Sequence, residues 1–269
     1  MEFFVSTDEA VPSLFYESTG LPLRVDVLDV PIDPWTMTQT VDATDWYIKT
    51  GHFAHLIGVN ADKVLQMRDS LEMDSIVRHC EIVNADGASM VMASNKLGVH
   101  VPERVAGIDL MMALCALAEA KGYPIYLLGA KDSVVHEAAK ALQKQFPALQ
   151  LAGMRDGYFT DDEFDAVVAE VESVKPLIVF VGITSPKKEL MIEEFRKAGA
   201  AGAFVGVGGS FDVISGNVSR APKWMQDAGL EWLFRLIQEP GRLLKRYVVG
   251  NLRFYGILRK ELKMKRNNG

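Results

Sequence analysis

Between residues 125 and 207, short apolar stretches alternate with longer segments in which apolar and polar positions follow a helical period. The apolar stretches predict strands at Ile125–Leu128, Leu149–Ala152, Leu177–Val181 and Ala203–Val207. The intervening segments predict helices at Ser133–Phe146, Thr160–Val174 and Pro186–Ala198. Strands this short and this apolar, separated by helices, are typical of a parallel sheet that is covered on both faces.

The chain before residue 125 extends the same pattern less regularly. It predicts strands at Leu23–Val30 and His55–Val59, and helices at Asp42–Lys49, Asn60–Met73 and Val105–Lys121. Met1–Gly20 is acidic and aperiodic, so we predict an N-terminal extension over residues 1–22, an α/β domain over 23–218 and a helical appendage over 219–269. The expected fold class is α/β, with a Rossmann-like parallel sheet covered by helices.

Ligands of such sheets bind at the carboxyl ends of the strands, so the loops at those ends are the expected ligand-binding positions. These loops follow Val59, Val83, Leu128, Ala152, Val181 and Val207. Gly206, Gly208 and Gly209 stand at the last of these positions, and glycines there let a backbone approach a ligand closely. A plain turn is the alternative interpretation of that loop.

The net charge of −6 is unevenly distributed. The segment 220–269 contains twelve Lys and Arg against four Asp and Glu, so it carries +8 and the preceding chain −14. A basic segment on an acidic body predicts an anionic partner for that segment. The acidity of the body makes nucleic acid a poorer candidate than a membrane surface.

Cysteine usage and hydropathy predict a cytoplasmic protein. Cys80 and Cys115 form no CxxC motif, and reduced buried thiols are the expected state. Met1–Thr19 contains four acids and no base, which is unlike a signal peptide. The apolar runs Met111–Ala118 and Leu177–Val181 are too short to cross a bilayer.

The last fifty residues have the pattern of a helix that lies on a membrane. A helix over residues 242–262 would place four basic residues within about 40° of one another, namely Arg242, Arg246, Arg253 and Lys260. Its opposite side would carry Leu244, Tyr247, Phe254, Tyr255, Leu258 and Leu262. We expect the basic side to meet lipid phosphates, each charge contributing ~1 kcal/mol. Gly250 and Gly256 are expected to weaken the helix by ~1 kcal/mol each and to divide it. The alternative is a helix that packs its apolar side on the body.

Three polar residues near the predicted strand ends could take part in chemistry. Asp86 follows an apolar strand and precedes Gly87, where it could be a general base or a turn and helix-cap aspartate. Asn60 could hydrogen-bond a sugar hydroxyl or cap the helix that it precedes. Arg104 could contact a diphosphate or lie on the surface.

Other candidates are weaker. Gly129-Ala130-Lys131 contains one glycine and lacks P-loop spacing, so an ordinary strand–helix junction is favoured over a phosphate cradle. Tyr158 and Phe159 could stack on a base or belong to the core, and Asp212 could bind ribose or cap a turn.

The chain contains no Asp-x-Asp motif of the kind that holds a metal ion on a sugar nucleotide. Thr160 and Glu163 form a capping box that explains the acidic cluster at 161–163. No metal and no cofactor are therefore expected.

Taken together and in order, several short motifs resemble the WecG/TagA/CpsF glycosyltransferases over about residues 54–250. The motifs are Asn84-Ala85-Asp86-Gly87, Arg104 with Gly107 and Asp109, Asp156-Gly157-Tyr158-Phe159, Gly182 with Pro186-Lys187 and Glu189, Gly208-Gly209-Ser210-Phe211-Asp212, Arg220-Ala221-Pro222, Glu231-Trp232 with Arg235, and Glu239-Pro240 with Arg242. The resemblance implies an inverting, metal-independent transfer of a hexose or N-acetylhexosamine, N-acetylmannosamine in the best-known case. The donor would be a UDP-sugar and the acceptor a polyprenyl-diphosphate-linked saccharide, as in cell-surface polysaccharide biosynthesis.

The resemblance also assigns residues. It makes Asp86 the base, and we expect Asn60 and Arg104 to act beside it. Expected substrate-binding positions are Gly58, Tyr158, Lys188, Gly208, Gly209, Asp212, Arg235, Arg242 and Arg246. The enzyme would be attached peripherally to the inner face of the cell membrane, and a homo-oligomer is left open.

Two positions depart from the family pattern. Gly58 stands where a threonine is usual, and Lys188 where a glutamine is usual, which bears on the sugars more than on the reaction type. A dinucleotide-dependent oxidoreductase is one alternative function, although Gly-x-Gly-x-x-Gly is absent. A non-catalytic membrane-binding module is the other.

Overall fold

A computed structural model describes residues 10–268, except for the side chains of residues 10–13, 227, 242, 243, 245, 246 and 268. Its strands are β1 Val25–Asp26, β2 Pro31–Ile32, β3 Phe53–Val59, β4 Ile82–Ala85, β5 Ile125–Gly129, β6 Leu151–Arg155, β7 Ile178–Gly182 and β8 Gly202–Gly206. Strands β3 to β8 form a parallel six-stranded sheet in the order β4-β3-β8-β7-β5-β6, while β1 and β2 form a separate hairpin. The predicted α/β fold with a covered parallel sheet is confirmed.

Helices cover both faces of the sheet. They are α1 Ala10–Thr19, α2 Met37–Thr50, α3 Ala61–Asp69, α4 Leu71–His79, α5 Ala88–Lys96, α6 Gly107–Lys121, α7 Asp132–Gln145, α8 Phe164–Ser173, α9 Lys187–Lys197, α10 Ser210–Ile214, α11 Lys223–Asp227, α12 Glu231–Gln238 and α13 Pro240–Asn268. Helices α2, α6 and α7 share an apolar core with one face of the sheet. On the other face, α3, α4, α5 and α13 pack over β3 and β4, and α8 and α9 pack over β5, β7 and β8.

Several predicted elements have different boundaries in the structure. Leu23–Val30 is not one strand, because Leu28 and Asp29 both adopt positive φ and turn the chain between β1 and β2. The helix predicted at Asn60–Met73 is two helices, since Ser70 has an extended backbone and its hydroxyl caps α4. The capping box of Thr160 and Glu163 is present and opens a short 3₁₀ turn at Asp161–Glu163 before α8.

The acidic N-terminal stretch contains a helix that the sequence pattern did not predict. Phe15 of α1 is 1% exposed and stacks on Tyr47 of α2 with ring centroids 5.2 Å apart. Trp35 packs against the Phe15 ring, with ring centroids 5.5 Å apart. This aromatic cluster joins α1 to the main core of the molecule.

Helix α13 is continuous through Gly250 and Gly256, so the predicted break is wrong. Its second half lies on the body, where Phe254 and Leu258 are buried and Arg253 pairs with Asp69 at 2.7 Å. Arg253 is therefore ion-paired with the body, while 49% of its side chain stays exposed. None of the described helices has an 18-residue stretch apolar enough to span a bilayer.

Candidate active site

Asp86 lies immediately beyond the end of β4, and the neighbouring backbone fixes its position. Its amide donates to the carbonyl of Val59 at 2.9 Å, and its Oδ1 accepts from the amide of Gly107 at 3.1 Å. Gly107 is the first residue of α6, so the carboxylate meets the positive end of a 15-residue helix. Burial raises the pKa of Asp86, while Arg104, the Gly107 amide, Arg235 and Lys188 act in the opposite direction. A partly buried carboxylate of this kind is suited to accept a proton.

Glycines make room for this carboxylate. A Cβ on Gly58 would lie 2.8 Å from the Asp86 Cβ and 3.3 Å from its Oδ2. A Cβ on Gly87 would lie 2.8 Å from the Cβ of Asn60. The ends of β3 and β4 therefore approach each other closely. Asn60 caps α3, its Oδ1 accepting from the amides of Asp62 and Lys63, which is the alternative that the sequence left open.

Two arginines and a glutamate connect the C-terminal segment to Asp86. Arg104 donates from Nε to the backbone carbonyl of Asp86 at 2.7 Å, and from Nη2 to Oε2 of Glu231 at 2.6 Å. Glu231 opens α12, and Arg235 lies one turn later with its Nη2 4.0 Å from Glu231. A Cβ on Gly229 would lie 2.8 Å from the Cβ of Ala88, so the chain before α12 packs on the start of α5.

Lys188 approaches the same edge of the sheet from α9. A Cβ on Gly206, the last residue of β8, would lie 2.8 Å from the Lys188 Cε and 3.1 Å from its Nζ. The Lys188 Nζ is 3.3 Å from Oε1 of Glu189. The same Glu189 oxygen accepts from Lys63 at 2.7 Å, and both Lys63 and Glu189 are buried. These contacts and the charges around the buried carboxylate lower the pKa of Glu189 to about 2 despite the opposing effect of burial.

The glycine loop after β8 lies next to Lys188. Gly208 has a positive φ of 52° and open space at its Cβ position, while Gly209 precedes the short helix α10. Asp212 is on α10 and partly accessible. Phe211 is buried against Gly182, where an added Cβ would lie 2.5 Å from the Phe211 ring, so the loop rests on the end of β7.

Tyr158 is on the loop after β6, over the other half of the sheet. A Cβ on Gly157 would lie 3.1 Å from the Cα of Gly129 and 3.1 Å from Ile183, so this loop covers the ends of β5 and β7. Tyr158 is 73% exposed, whereas Phe159 is buried and belongs to the core. Lys187 holds the loop, because its ammonium donates to the Phe159 carbonyl and lies 4.3 Å from the Phe159 ring centroid.

The structure thus gathers most of the predicted site residues at one edge of the sheet. Gly58, Asn60, Asp86, Arg104, Lys188, Gly208, Gly209, Asp212 and Arg235 lie at the carboxyl ends of β3, β4 and β8 or on the segments that cover them. Tyr158 lies apart from Asp86, at the ends of β5 and β7. The side chains of Arg242 and Arg246 lie outside the described residues.

A family model, the glycosyl transferase WecG/TagA/CpsF family, matches residues 25–268. The chain belongs to this glycosyltransferase family. The match extends over almost the whole chain, including the α/β body and all of α13 that the structure describes. In this glycosyltransferase, several of the motifs that carry the sequence resemblance lie at the edge of the sheet described above, whereas the motif at 156–159 lies over the ends of β5 and β7.

Four residues that shape the candidate site of this glycosyltransferase were not predicted from the sequence. Gly107 contributes a backbone amide, Glu231 holds Arg104, and Lys63 and Glu189 form the buried pair beside Lys188. The family motifs contain Gly107, Glu189 and Glu231, but a motif does not show what each residue contacts. Among the described residues, no group of three or more His, Cys, Asp and Glu side chains has the arrangement of a metal site.

Proposed function

We propose that this glycosyltransferase transfers a hexose or N-acetylhexosamine, such as N-acetylmannosamine, from a UDP-sugar to a polyprenyl-diphosphate-linked saccharide. The transfer would proceed in one step with inversion and without a metal ion, as part of cell-surface polysaccharide biosynthesis. Asp86 is the base that takes the proton of the acceptor hydroxyl as the hydroxyl oxygen attacks the anomeric carbon. Arg104 and Arg235 supply positive charge that the diphosphate needs.

The environment of Asp86 carries the proposal. The carboxylate is at the carboxyl edge of a parallel sheet, where ligands of this fold class bind. It is surrounded by cationic groups, and burial raises its pKa toward the range of a useful base. A single carboxylate suffices for a one-step inverting displacement, because no covalent intermediate has to be formed and broken.

The C-terminal segment supports a lipid-linked acceptor. The first half of α13 exposes apolar side chains, namely Leu244, Val248, Val249, Leu252 and Tyr255. Trp224 of α11 and Trp232 and Ile237 of α12 are exposed as well. We propose that this surface enters the interface of an anionic membrane at its inner face, with flanking basic residues on the lipid phosphates. Because α12 also holds Arg104 through Glu231, the same segment lies over the catalytic carboxylate.

Transfer is tested with Asp86→Asn. Wild-type protein is incubated with UDP-N-acetylhexosamines and a short-chain polyprenyl-diphosphate-linked N-acetylglucosamine, and the product is separated by chromatography. The variant should lose roughly 10²–10⁴-fold in kcat/KM, because the amide cannot take the proton. Asp165→Asn, an exposed aspartate on α8, is the matched control and should keep full activity. An Asp86→Asn variant as active as wild type would refute the assignment of the base.

Membrane attachment is tested by vesicle flotation. Leu252 is 70% exposed on α13, and Leu252→Glu should weaken binding to vesicles of mixed neutral and anionic phospholipid by roughly tenfold or more. Leu71, 91% exposed on α4, is the control, and Leu71→Glu should bind like wild type. Charge reversal of Arg242 and Arg246 together should also weaken binding. Equal flotation of wild type and Leu252→Glu would contradict the assignment of this surface.

A further inference from the structure

Asp86 and Lys188 reach the carboxyl edge of the sheet from opposite faces. Leu56 of β3 packs in the core cluster that includes α6, and side chains alternate along a strand, so position 58 faces the α6 side. Phe204 of β8 packs with α9, so position 206 faces the α9 side. Asp86 lies against Gly58 on the first side, and Lys188 lies against Gly206 on the second.

The two groups are nevertheless close. Gly58 and Gly206 are at the ends of adjacent strands, and adjacent strands are about 4.8 Å apart. A Cβ on Gly107, whose amide binds Asp86, would lie 3.9 Å from the carbonyl oxygen of Gly206. The carboxylate of Asp86 and the ammonium of Lys188 therefore lie on the two sides of the main chain at the ends of β3 and β8.

Lys63 and Lys188, the two lysines next to Glu189, differ in their contacts. Lys63 uses its three N–H donors on Glu189 at 2.7 Å, Ser185 at 2.7 Å and Gln66 at 2.9 Å. Lys188 has Glu189 as its one charged neighbour within 4.0 Å among the described residues, at 3.3 Å. The carboxylate of Glu189 thus pairs with both ammonium groups. All three N–H donors of Lys63 are used, whereas Lys188 has N–H donors left for a ligand.

We propose that Lys188 binds the diphosphate of the sugar donor, and that Glu189, itself fixed by Lys63, positions Lys188 for this task. The inference rests on the proposed transfer. The acceptor oxygen bonds to the anomeric carbon as the bond from that carbon to the diphosphate oxygen breaks. The hydroxyl proton passes to Asp86, and the bonding pair leaves on the nucleoside diphosphate, where Lys188 offsets the added charge. In an inverting displacement, the base and the leaving group lie on opposite sides of the anomeric carbon. This arrangement agrees with the positions of Asp86 and Lys188, which reach the sheet edge from opposite faces.

The direct test measures the binding of UDP and of uridine by calorimetry. Lys188→Gln removes the charge but keeps most of the length of the side chain. Its dissociation constant for UDP should rise roughly tenfold or more, while that for uridine stays unchanged. Lys188→Arg should keep most of the UDP affinity, and Lys197→Gln, which removes an exposed lysine of the same helix, should match wild type.

A second measurement separates a role in the site from a role in folding. Lys188 lowers the pKa of Asp86, so in Lys188→Gln the acid limb of the kcat/KM profile should move to higher pH. A variant that only loosened the fold would lower activity without moving the limb. The role of Glu189 is tested by Glu189→Asp, which should weaken UDP binding alone but add little when combined with Lys188→Gln.

The outcomes distinguish this inference from the proposed function. Wild-type protein that binds no nucleoside diphosphate overturns both. Wild-type protein that binds UDP, together with a folded Lys188→Gln variant of equal UDP affinity and an unmoved acid limb, overturns the role of Lys188 alone.

Discussion

Replacement of Lys63 by methionine tests the buried pair beneath the site. The change removes the ammonium and keeps a side chain of similar reach, so Glu189 loses its closest cation while the space stays filled. Glu189 is 0% exposed, and its Oε2 already has no hydrogen-bond partner among the described residues. Breaking a buried pair by removing one member typically costs about 3–5 kcal/mol, because a charge is left buried without compensation.

The pKa of Glu189 gives a consistent magnitude. Against the opposing effect of burial, Lys188 and Lys63 together lower the pKa of Glu189 from 4.5 to about 2, which corresponds to roughly 3 kcal/mol of stability at neutral pH. Burial lowers the pKa of Lys63, so the lysine offsets part of this gain. Lys188, at 3.3 Å, can also replace part of the lost charge. We therefore expect Lys63→Met to lose about 3 kcal/mol, or roughly 6–12 °C in melting temperature.

The pH dependence has a definite sign. The folded-state pKa of Glu189 lies below its unfolded value, so its stabilisation is complete above about pH 4.5 and disappears as the pH falls toward 2. In Lys63→Met the folded-state pKa rises toward the unfolded value, and the variant should show less of this acid-dependent loss.

Urea unfolding at pH 7 and at about pH 3 measures both effects. Lys63→Met combined with Glu189→Met should recover most of the lost stability, because no buried charge remains. Lys197→Met removes only a surface pair with Glu194 and should change the free energy of unfolding by less than about 0.5 kcal/mol. A Lys63→Met variant within 0.5 kcal/mol of wild type would refute the reasoning.

Two further predictions concern the surroundings of Asp86. Gly58→Ala places a Cβ 2.8 Å from the Asp86 Cβ, so the carboxylate must move by roughly 1 Å and kcat/KM should fall about 10²-fold. Gly256→Ala, which meets nothing within 4 Å, should keep activity and gain about 0.5–1 kcal/mol; equal activity of the two variants would contradict the crowding argument. Glu231→Gln weakens the 2.6 Å contact to Arg104 and should lower kcat/KM about tenfold and speed amide exchange in α12. Exchange and activity as in wild type would show that the Asp86 carbonyl alone holds Arg104.

The sheet could be predicted from the sequence because its strands are short apolar segments between amphipathic helices. Helix α5 was not predicted, since Gly87 offers no side-chain cap and Ala88–Lys96 has a weak amphipathic pattern. The hairpin at Val27–Val30 was not predicted because its positive φ values fall on Leu28 and Asp29, which carry no glycine signal. Local sequence shows where a chain can turn, but tertiary contacts decided these cases.

The candidate site could likewise be predicted only in part. The strand-end positions of Asp86 and Asn60 follow from the alternation of strands and helices. The pairing of Lys63 with Glu189 does not, because 126 residues separate them and each resembles an ordinary surface charge in a helix. The one indication in the sequence was Lys63, which stands next to the apolar Val64 in a predicted helix.

At Gly58 and Gly206 the absence of a Cβ makes room for the side chains of Asp86 and Lys188. A side chain at either position would displace the neighbouring charged group, so the threonine that is usual at position 58 in the family pattern would change the placement of the carboxylate. Differences in donor preference among relatives are then also expected from exposed side chains farther from Asp86, such as Tyr158 and those of α12. A search for natural variants with altered donor choice would best begin at those positions.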